Sequence, residues 1–218
     1  MHYSIGMTTS VTEAMDTFFS AYPVKSVAKG QILISAHDEP EHIIQLVDGR
    51  VKQYDISHRG DEVVLNIFKP PAYFPMSYAI NRLPNQYFFE AETDLKVRLV
   101  PLDEAVGFVR KYPEVAFDLL SRVYRGLDGL LGRLAHLMAG TARSRVLYEL
   151  LIEARRFGEP NGAVDLNETD IAARAGLARE TVSREMVKLK DEGLITVSKN
   201  RITILNIDDL AISLSRDL

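Results

Sequence analysis

Apolar positions along the chain change period several times, and each change marks a different kind of element. Near the start, Val11, Met15, Phe18 and Phe19 recur at helical spacing, behind Ser10 and Glu13, which form an S-x-x-E capping pair. This predicts a helix over about Val11–Ser20, ended before Pro23. From Lys25 to Val100 the pattern switches to short apolar runs, "QILI", "HIIQLV", "EVVLNIF" and "DLKVRLV", set between turn-forming residues. Several short strands at this spacing predict a sandwich or small barrel. "VDGRV" puts Asp48-Gly49 between two runs, the signal of a tight hairpin, and "SHRGDE" marks a further turn.

After Pro113 the period becomes helical again. Ala116, Leu120, Val123, Leu127, Leu130, Leu134 and Leu137 follow at alternating steps of four and three, an a/d heptad seam. At ~1.5 Å per residue a helix from Pro113 to Met138 spans roughly 39 Å. A seam this regular meets a partner helix and predicts a homodimer. Gly126, Gly129 and Gly132 weaken such a helix, so close approach of another element is expected along it. Gly140 ends it and Thr141 caps the next helix, whose buried face is Val146, Leu147, Leu150, Leu151 and Ala154. "FGEPNGAV" reads as a loop.

The last third carries the chemistry. Asn167 can cap a helix with Asp170 three residues on, and Leu166 and Ile171 flank the cap as a hydrophobic staple. Ile171, Ala172 and Ala175 face inward, and Gly176 supplies a turn. A second helix starts near Arg179 with Val182, Met186 and Leu189 as its buried stripe. Its opposite face carries Arg179, Glu180, Ser183 and Arg184. This is a helix-turn-helix layout, in which Arg can donate twice to a guanine edge and Glu can accept from cytosine N4. "LITVSKNRITIL" adds two strands and a polar turn at Lys199-Asn200, a wing placed to touch phosphate. Lys199, Arg201 and Thr169 are the expected phosphate contacts, with double-stranded DNA as the partner.

Composition narrows this reading. The 218 residues suffice for one large or two small domains, and the net charge is −4. Residues 139–218 hold 12 basic against 13 acidic side chains, so affinity for phosphate has to come from local placement of charge. The absence of cysteine excludes disulfides, thiolate zinc sites, Cys-ligated iron–sulfur clusters and Cys nucleophiles. No stretch has the length of an apolar membrane span, and Met1–Ser10 lacks the pattern of a signal peptide, so a cytoplasmic location is expected.

"GLARETVSREMVKLKDEGLI" closely resembles the DNA-reading segment of the Crp–Fnr family of bacterial transcription regulators, and the order of elements resembles that family over the whole chain. The resemblance implies an α+β architecture: a jelly-roll-like β-roll of the cyclic-nucleotide-binding type with an N-terminal helix in residues 1–112, a dimerisation helix in 113–139, and a winged helix-turn-helix in 140–218. It also implies RNA polymerase as a partner and, from Glu180, Ser183 and Arg184, half-sites resembling TTGA. One departure is Ala178, where a capping Ser is common in the family.

A second departure lies in the sensory domain. In the cyclic-AMP-binding branch a Gly-Glu-Leu run and an Arg-Ser pair hold the ribose and the cyclic phosphate. Here Pro75-Met76-Ser77 and Asn85-Gln86 stand at those places. A neutral amide does not replace a bidentate guanidinium for an anion. Cyclic AMP is therefore not the expected effector, and no cofactor is expected. Phe74, Met76, Ser77, Arg82, Asn85 and Gln86 mark the candidate effector region, with Arg82 the nearby cation. Tyr73, Tyr78, Tyr87, Phe88 and Phe89 add an aromatic cluster that either fills the pocket or lines an apolar site. His2, His37, His42, His58 and His136 leave a haem- or other small-molecule-sensing regulator as the alternative, although no pair has metal-site spacing. A cupin-like enzyme lacks its ligand pattern, and a binding module that had lost DNA contact would not need the Arg179, Glu180 and Arg184 set.

Overall fold

The structure, a computed structural model, describes residues 9–58, 60, 62–198 and 201–217. By packing, the chain divides into two compact units, Met1–Val123 and Tyr124–Leu218. The division falls inside one helix, upstream of the 139–140 boundary expected from the sequence.

The first unit opens with α1 (Thr9–Ser20), followed by β1 (Val24–Val27), β2 (Ile32–Ile34), β3 (His42–Asp48), β4 (Val51–Ile56), β5 (Glu62–Phe68) and β6 (Ala72–Phe74). Then come α2 (Met76–Asn81), β7 (Phe88–Ala91), β8 (Leu95–Pro101), α3 (Leu102–Lys111) and the first half of α4 (Pro113–Ala139). Helix α1 begins at Thr9, which places Ser10 inside the helix and not at its cap. The strands form two antiparallel four-stranded sheets, ordered β1-β8-β3-β6 and β2-β7-β4-β5. The β-roll is thus present. Ile34, Ile44, Leu46, Val51, Phe74, Phe89, Leu95 and Val97 fill its interior. A second core joins α1 and α3 to the roll through Met15, Phe19, Ile43, Val100, Leu102 and Phe108, with Phe18 stacked on Phe108 at 4.1 Å.

The hairpin expected at Asp48-Gly49 does not form. Strands β3 and β4 lie in different sheets, and the turn carries the chain from one to the other. Its partners belong to the turn between β7 and β8: the Arg50 N–H donates to Thr93 Oγ1 at 2.9 Å, and the Glu92 N–H donates to the Arg50 carbonyl at 2.9 Å. Gly49 has φ +92°, and a Cβ there would run into the Asp94 carbonyl. The "SHRGDE" turn does join a hairpin, β4 with β5.

The second unit holds the rest of α4, then α5 (Ala142–Phe157), β9 (Ala163–Val164), α6 (Glu168–Ala175), α7 (Arg179–Asp191), β10 (Ile195–Ser198), β11 (Arg201–Ile204) and α8 (Ile207–Ser215). Thr141 caps α5, accepting from the Ser144 N–H at 3.1 Å. The stretch read as a loop contains β9, which extends the wing to a three-stranded sheet, β10-β11-β9. Val146, Leu147, Leu150, Ile171, Val182, Leu189, Ile195 and Leu210 form one core beneath the helices.

One of the three α4 glycines has a steric reason in Tyr148. The Tyr148 hydroxyl on α5 donates to the Gly129 carbonyl at 2.8 Å, and a Cβ at Gly132 would collide with the Tyr148 ring. Gly132 therefore admits Tyr148, while a Cβ at Gly126 or Gly129 would meet open space.

Candidate nucleic-acid interface

The helix-turn-helix is held from both ends. Asn167 Oδ1 accepts from the N–H groups of Thr169 and Asp170 at 2.9 and 3.0 Å, and Asp170 Oδ2 accepts from the Asn167 N–H at 3.0 Å. This is a complete capping box, which satisfies donors that the first turn of α6 otherwise leaves open. Leu166 and Ile171 are both buried beside it. At the other end Gly176 takes φ +62°, the left-handed conformation that ends α6 and starts the turn.

Ion pairs brace this arrangement, one of them buried on both sides. Arg174 Nη1 on α6 donates to Glu153 Oε2 on α5 at 2.9 Å, with side-chain exposures of 8% and 2%. Arg133 on α4 makes a two-pronged contact with the buried Glu149 at 2.5 and 2.9 Å. Arg143 reaches Glu192 at the end of α7 and Asp217 beyond α8, and its hydrogen bond with Glu192 raises its pKa further. Burial pushes the Arg156 guanidinium below its ordinary value.

Helix α7 buries Val182, Glu185, Met186 and Leu189. Arg179, Glu180 and Arg184 are exposed on the remaining surface and Ser183 is half-buried. Among the described residues no ion pair joins Glu180 to Arg184; Arg184 Nη2 lies 3.3 Å from Thr181 Oγ1 instead. The carboxylate and the guanidinium are therefore not committed to each other. Ala178 caps the helix without a side-chain hydrogen bond, as its identity requires. Thr169 is exposed on the first turn of α6. Arg201 on β11 is exposed and pairs with Glu159, a surface contact of small worth that water or a phosphate can replace. Lys199 lies outside the described residues.

Comparison with known proteins agrees with this geometry. The model of the Crp-like helix-turn-helix domain matches residues 132–212, and that of the cyclic nucleotide-binding domain matches residues 24–112. The probable transcriptional regulator flp of Lacticaseibacillus casei is 26% identical over 186 residues, covering 85% of this chain and 84% of that protein. The fumarate and nitrate reduction regulatory protein of Salmonella typhi is 27% identical, over 86% and 76%. The structure of FixK2 from Bradyrhizobium japonicum superposes with a TM-score of 0.75 at 25% identity, covering 88% of this chain and 96% of that one. The chain belongs to the Crp–Fnr family. It is a DNA-binding transcription regulator and not an enzyme.

In the β-roll of this Crp–Fnr protein, the residues of the expected effector region can now be placed. Phe74 is a core residue, stacked on Phe89 with centroids 5.2 Å apart and tilted onto Phe68. Asn85 is buried and spends its side-chain N–H groups on the carbonyls of Ser35 and Tyr87. The His37 N–H donates to its backbone carbonyl at 2.6 Å. Asn85 therefore pins the 35–38 loop. Arg82, which has a left-handed φ of 54°, pairs with Asp103 at 2.7 Å on the surface. Met76 packs toward α1 and α3, Ser77 is exposed, and the Gln86 amide donates to the Pro84 carbonyl at 3.0 Å. Phe74, Arg82, Asn85 and Gln86 of the expected effector region thus each engage a different partner. Of the histidines, His136 is buried in the second unit against Tyr148, while His37 and His42 belong to the roll.

The helix α4 carries more than the expected seam. Leu120, Val123, Leu127, Leu130, Leu134 and Leu137 are exposed in the single chain, and Ala116 is half-buried. Phe117, Tyr124, Leu131 and Met138 are exposed too, between 54% and 79%. These four recur every seven residues, a third apolar column that an a/d reading passes over. Among the described residues no helix is long and apolar enough to cross a membrane.

Proposed function

We propose that the protein acts as a homodimer that reads a two-fold DNA site with TTGA-like half-sites, and that its β-roll answers to a ligand other than cyclic AMP or to none. The observation that carries the reading is the outward face of α7, where Arg179, Glu180 and Arg184 stand exposed beside Ser183 with no ion pair between Glu180 and Arg184. Arg184 and Glu180 would contact base edges, Ser183 a base or methyl edge, and Arg179 base or phosphate. Thr169, Lys199 and Arg201 would hold the backbone.

Three apolar columns on α4 support dimerisation. A contiguous apolar face of this length is unusual on a monomer and suits a parallel helix pair. Two-fold symmetry would set two recognition helices about one DNA turn, roughly 34 Å, apart. RNA polymerase in the cytoplasm is the partner that family membership suggests. The filled roll interior around Phe74 and the engaged Asn85 speak against cyclic AMP as the effector.

The test is a binding titration of the full chain against an inverted TTGA repeat and a scrambled duplex at several salt concentrations. Tighter binding to the repeat is expected, with the preference kept as salt rises. Equal binding to both duplexes would overturn the base reading. Calorimetric titration with cyclic AMP is expected to give no saturable heat in the micromolar range, and a stoichiometric isotherm would overturn the claim about the effector.

A further inference from the structure

Helix α7 bears one apolar side chain on its outward face. Val187 is 56% exposed, while Glu180, Ser183, Arg184, Lys188 and Asp191 make up the rest of that face. At about 100° per residue, Val187 projects within roughly 20° of Glu180, two turns further along, and within roughly 60° of Arg184. The buried stripe of Val182, Glu185, Met186 and Leu189 lies on the other side of the helix. Val187 therefore contributes nothing to its own domain's core. A β-branched residue also lowers helix propensity, and a Lys or Gln there would suit both the helix and the solvent better.

We propose that Val187 is a specificity-determining residue that reads the C5-methyl group of a thymine in the major groove. The claim rests on α7 being the base-reading helix, and it deepens that reading. The major groove offers one apolar feature, the thymine methyl, and a small branched side chain without hydrogen-bonding groups is suited to it. Val187 follows Ser183 and Arg184 by one turn, so the thymine belongs within the half-site or at the base pairs bordering it. The contact would add a term that Arg184 and Glu180 cannot supply, because hydrogen bonds to base edges do not report the methyl.

The experiment removes the methyl without touching any hydrogen bond. Each thymine of an inverted TTGA repeat, on both strands and including two flanking base pairs, is replaced singly and symmetrically by deoxyuridine. Wild type and Val187→Ala are titrated against each duplex and against a scrambled one. Burying one methyl-sized group corresponds to about fourfold in affinity per half-site. One deoxyuridine position, changed in both half-sites, is expected to weaken wild type by about fourfold per half-site, roughly 16-fold for the repeat, to leave Val187→Ala unchanged, and to keep its effect in Val187→Thr, which retains a γ-methyl group. If wild type prefers the repeat and yet every deoxyuridine substitution acts alike on wild type and Val187→Ala, the proposal is overturned while the base-reading helix stands. If wild type does not distinguish repeat from scrambled duplex, both fall.

Discussion

Replacing Arg174 by Met would leave the Glu153 carboxylate, 2% exposed, without the guanidinium that now meets it at 2.9 Å. Breaking one side of a buried ion pair costs about 3–5 kcal/mol where the remaining charge has neither water nor a second partner. Arg156 also feels the Glu153 charge, so the low end, about 3 kcal/mol, applies. That corresponds to a factor on the order of 100 in a local opening equilibrium. Amide hydrogen exchange of the full chain at neutral pH reads it directly. Peptides from α5 and α6 are expected to exchange about 100-fold faster in the variant, while those from α1 and α3, in the other unit, keep their rates. Replacing both partners, Glu153→Leu with Arg174→Met, is expected to recover most of the protection, since an apolar pair of similar volume need not be worse than the ionic one. If α6 protection in Arg174→Met changes less than about fivefold, the pair does not brace the helix-turn-helix, and the argument from burial fails.

Aspartate at both Leu127 and Leu130, which are 42% and 51% exposed in the single chain, would put charge into the proposed dimer seam. The variant is expected to sediment as a monomer, and a persistent dimer would place the interface elsewhere. His136 is buried, its Nδ1 has no hydrogen-bond partner among the described residues, and burial holds its pKa below the ordinary 6.5 despite the opposing pull of Glu149. A His whose folded pKa is depressed leaves stability unaffected at pH 8 and removes it as pH falls through about 6.5, where the unfolded chain takes up the proton first. Thermal unfolding of wild type is therefore expected to lose more stability between pH 8 and pH 5.5 than that of His136→Leu; parallel losses would count against this. Tyr148→Phe removes the hydrogen bond to Gly129 and is expected to cost about 1 kcal/mol in urea unfolding, and no change would mean the bond is not retained in solution.

Local signals were legible where one residue type decides the geometry. The Asn167–Asp170 capping box, the turn at Gly176 and the stripe of Val182, Met186 and Leu189 were each readable because cap, turn and period agree within a dozen residues. Asp48-Gly49 was misread because turn chemistry reports φ and not strand partners. The Arg50–Thr93 contact that sends β4 to the other sheet spans 43 positions. Strand β9 is two residues long and exists through pairing with β11, so it leaves no periodic trace. Helix α3 buries Leu102, Ala105 and Phe108 at helical spacing and carries Asp103 and Glu104 first and Arg110 and Lys111 last, a readable pattern overshadowed by the longer helix after it. The roles of Phe74 and Asn85 were not legible, since a core ring and a pocket ring look alike in sequence. Asn85 shows its role only through the carbonyls of Ser35 and Tyr87. On α4 the third column of Phe117, Tyr124, Leu131 and Met138 was visible at a seven-residue repeat, but only exposure in the folded chain separates it from core.

Whether the polar face of α7 reads bases is tested most directly by a binding titration of Arg184→Ala and Glu180→Ala against an inverted TTGA repeat and a scrambled duplex. Each substitution is expected to cost about 1–3 kcal/mol on the repeat, to leave the scrambled duplex nearly unaffected, and to relax preference at one base pair per half-site. If Arg184→Ala binds both duplexes as wild type does, with the same discrimination, α7 is not the reading helix and the proposed function is contradicted.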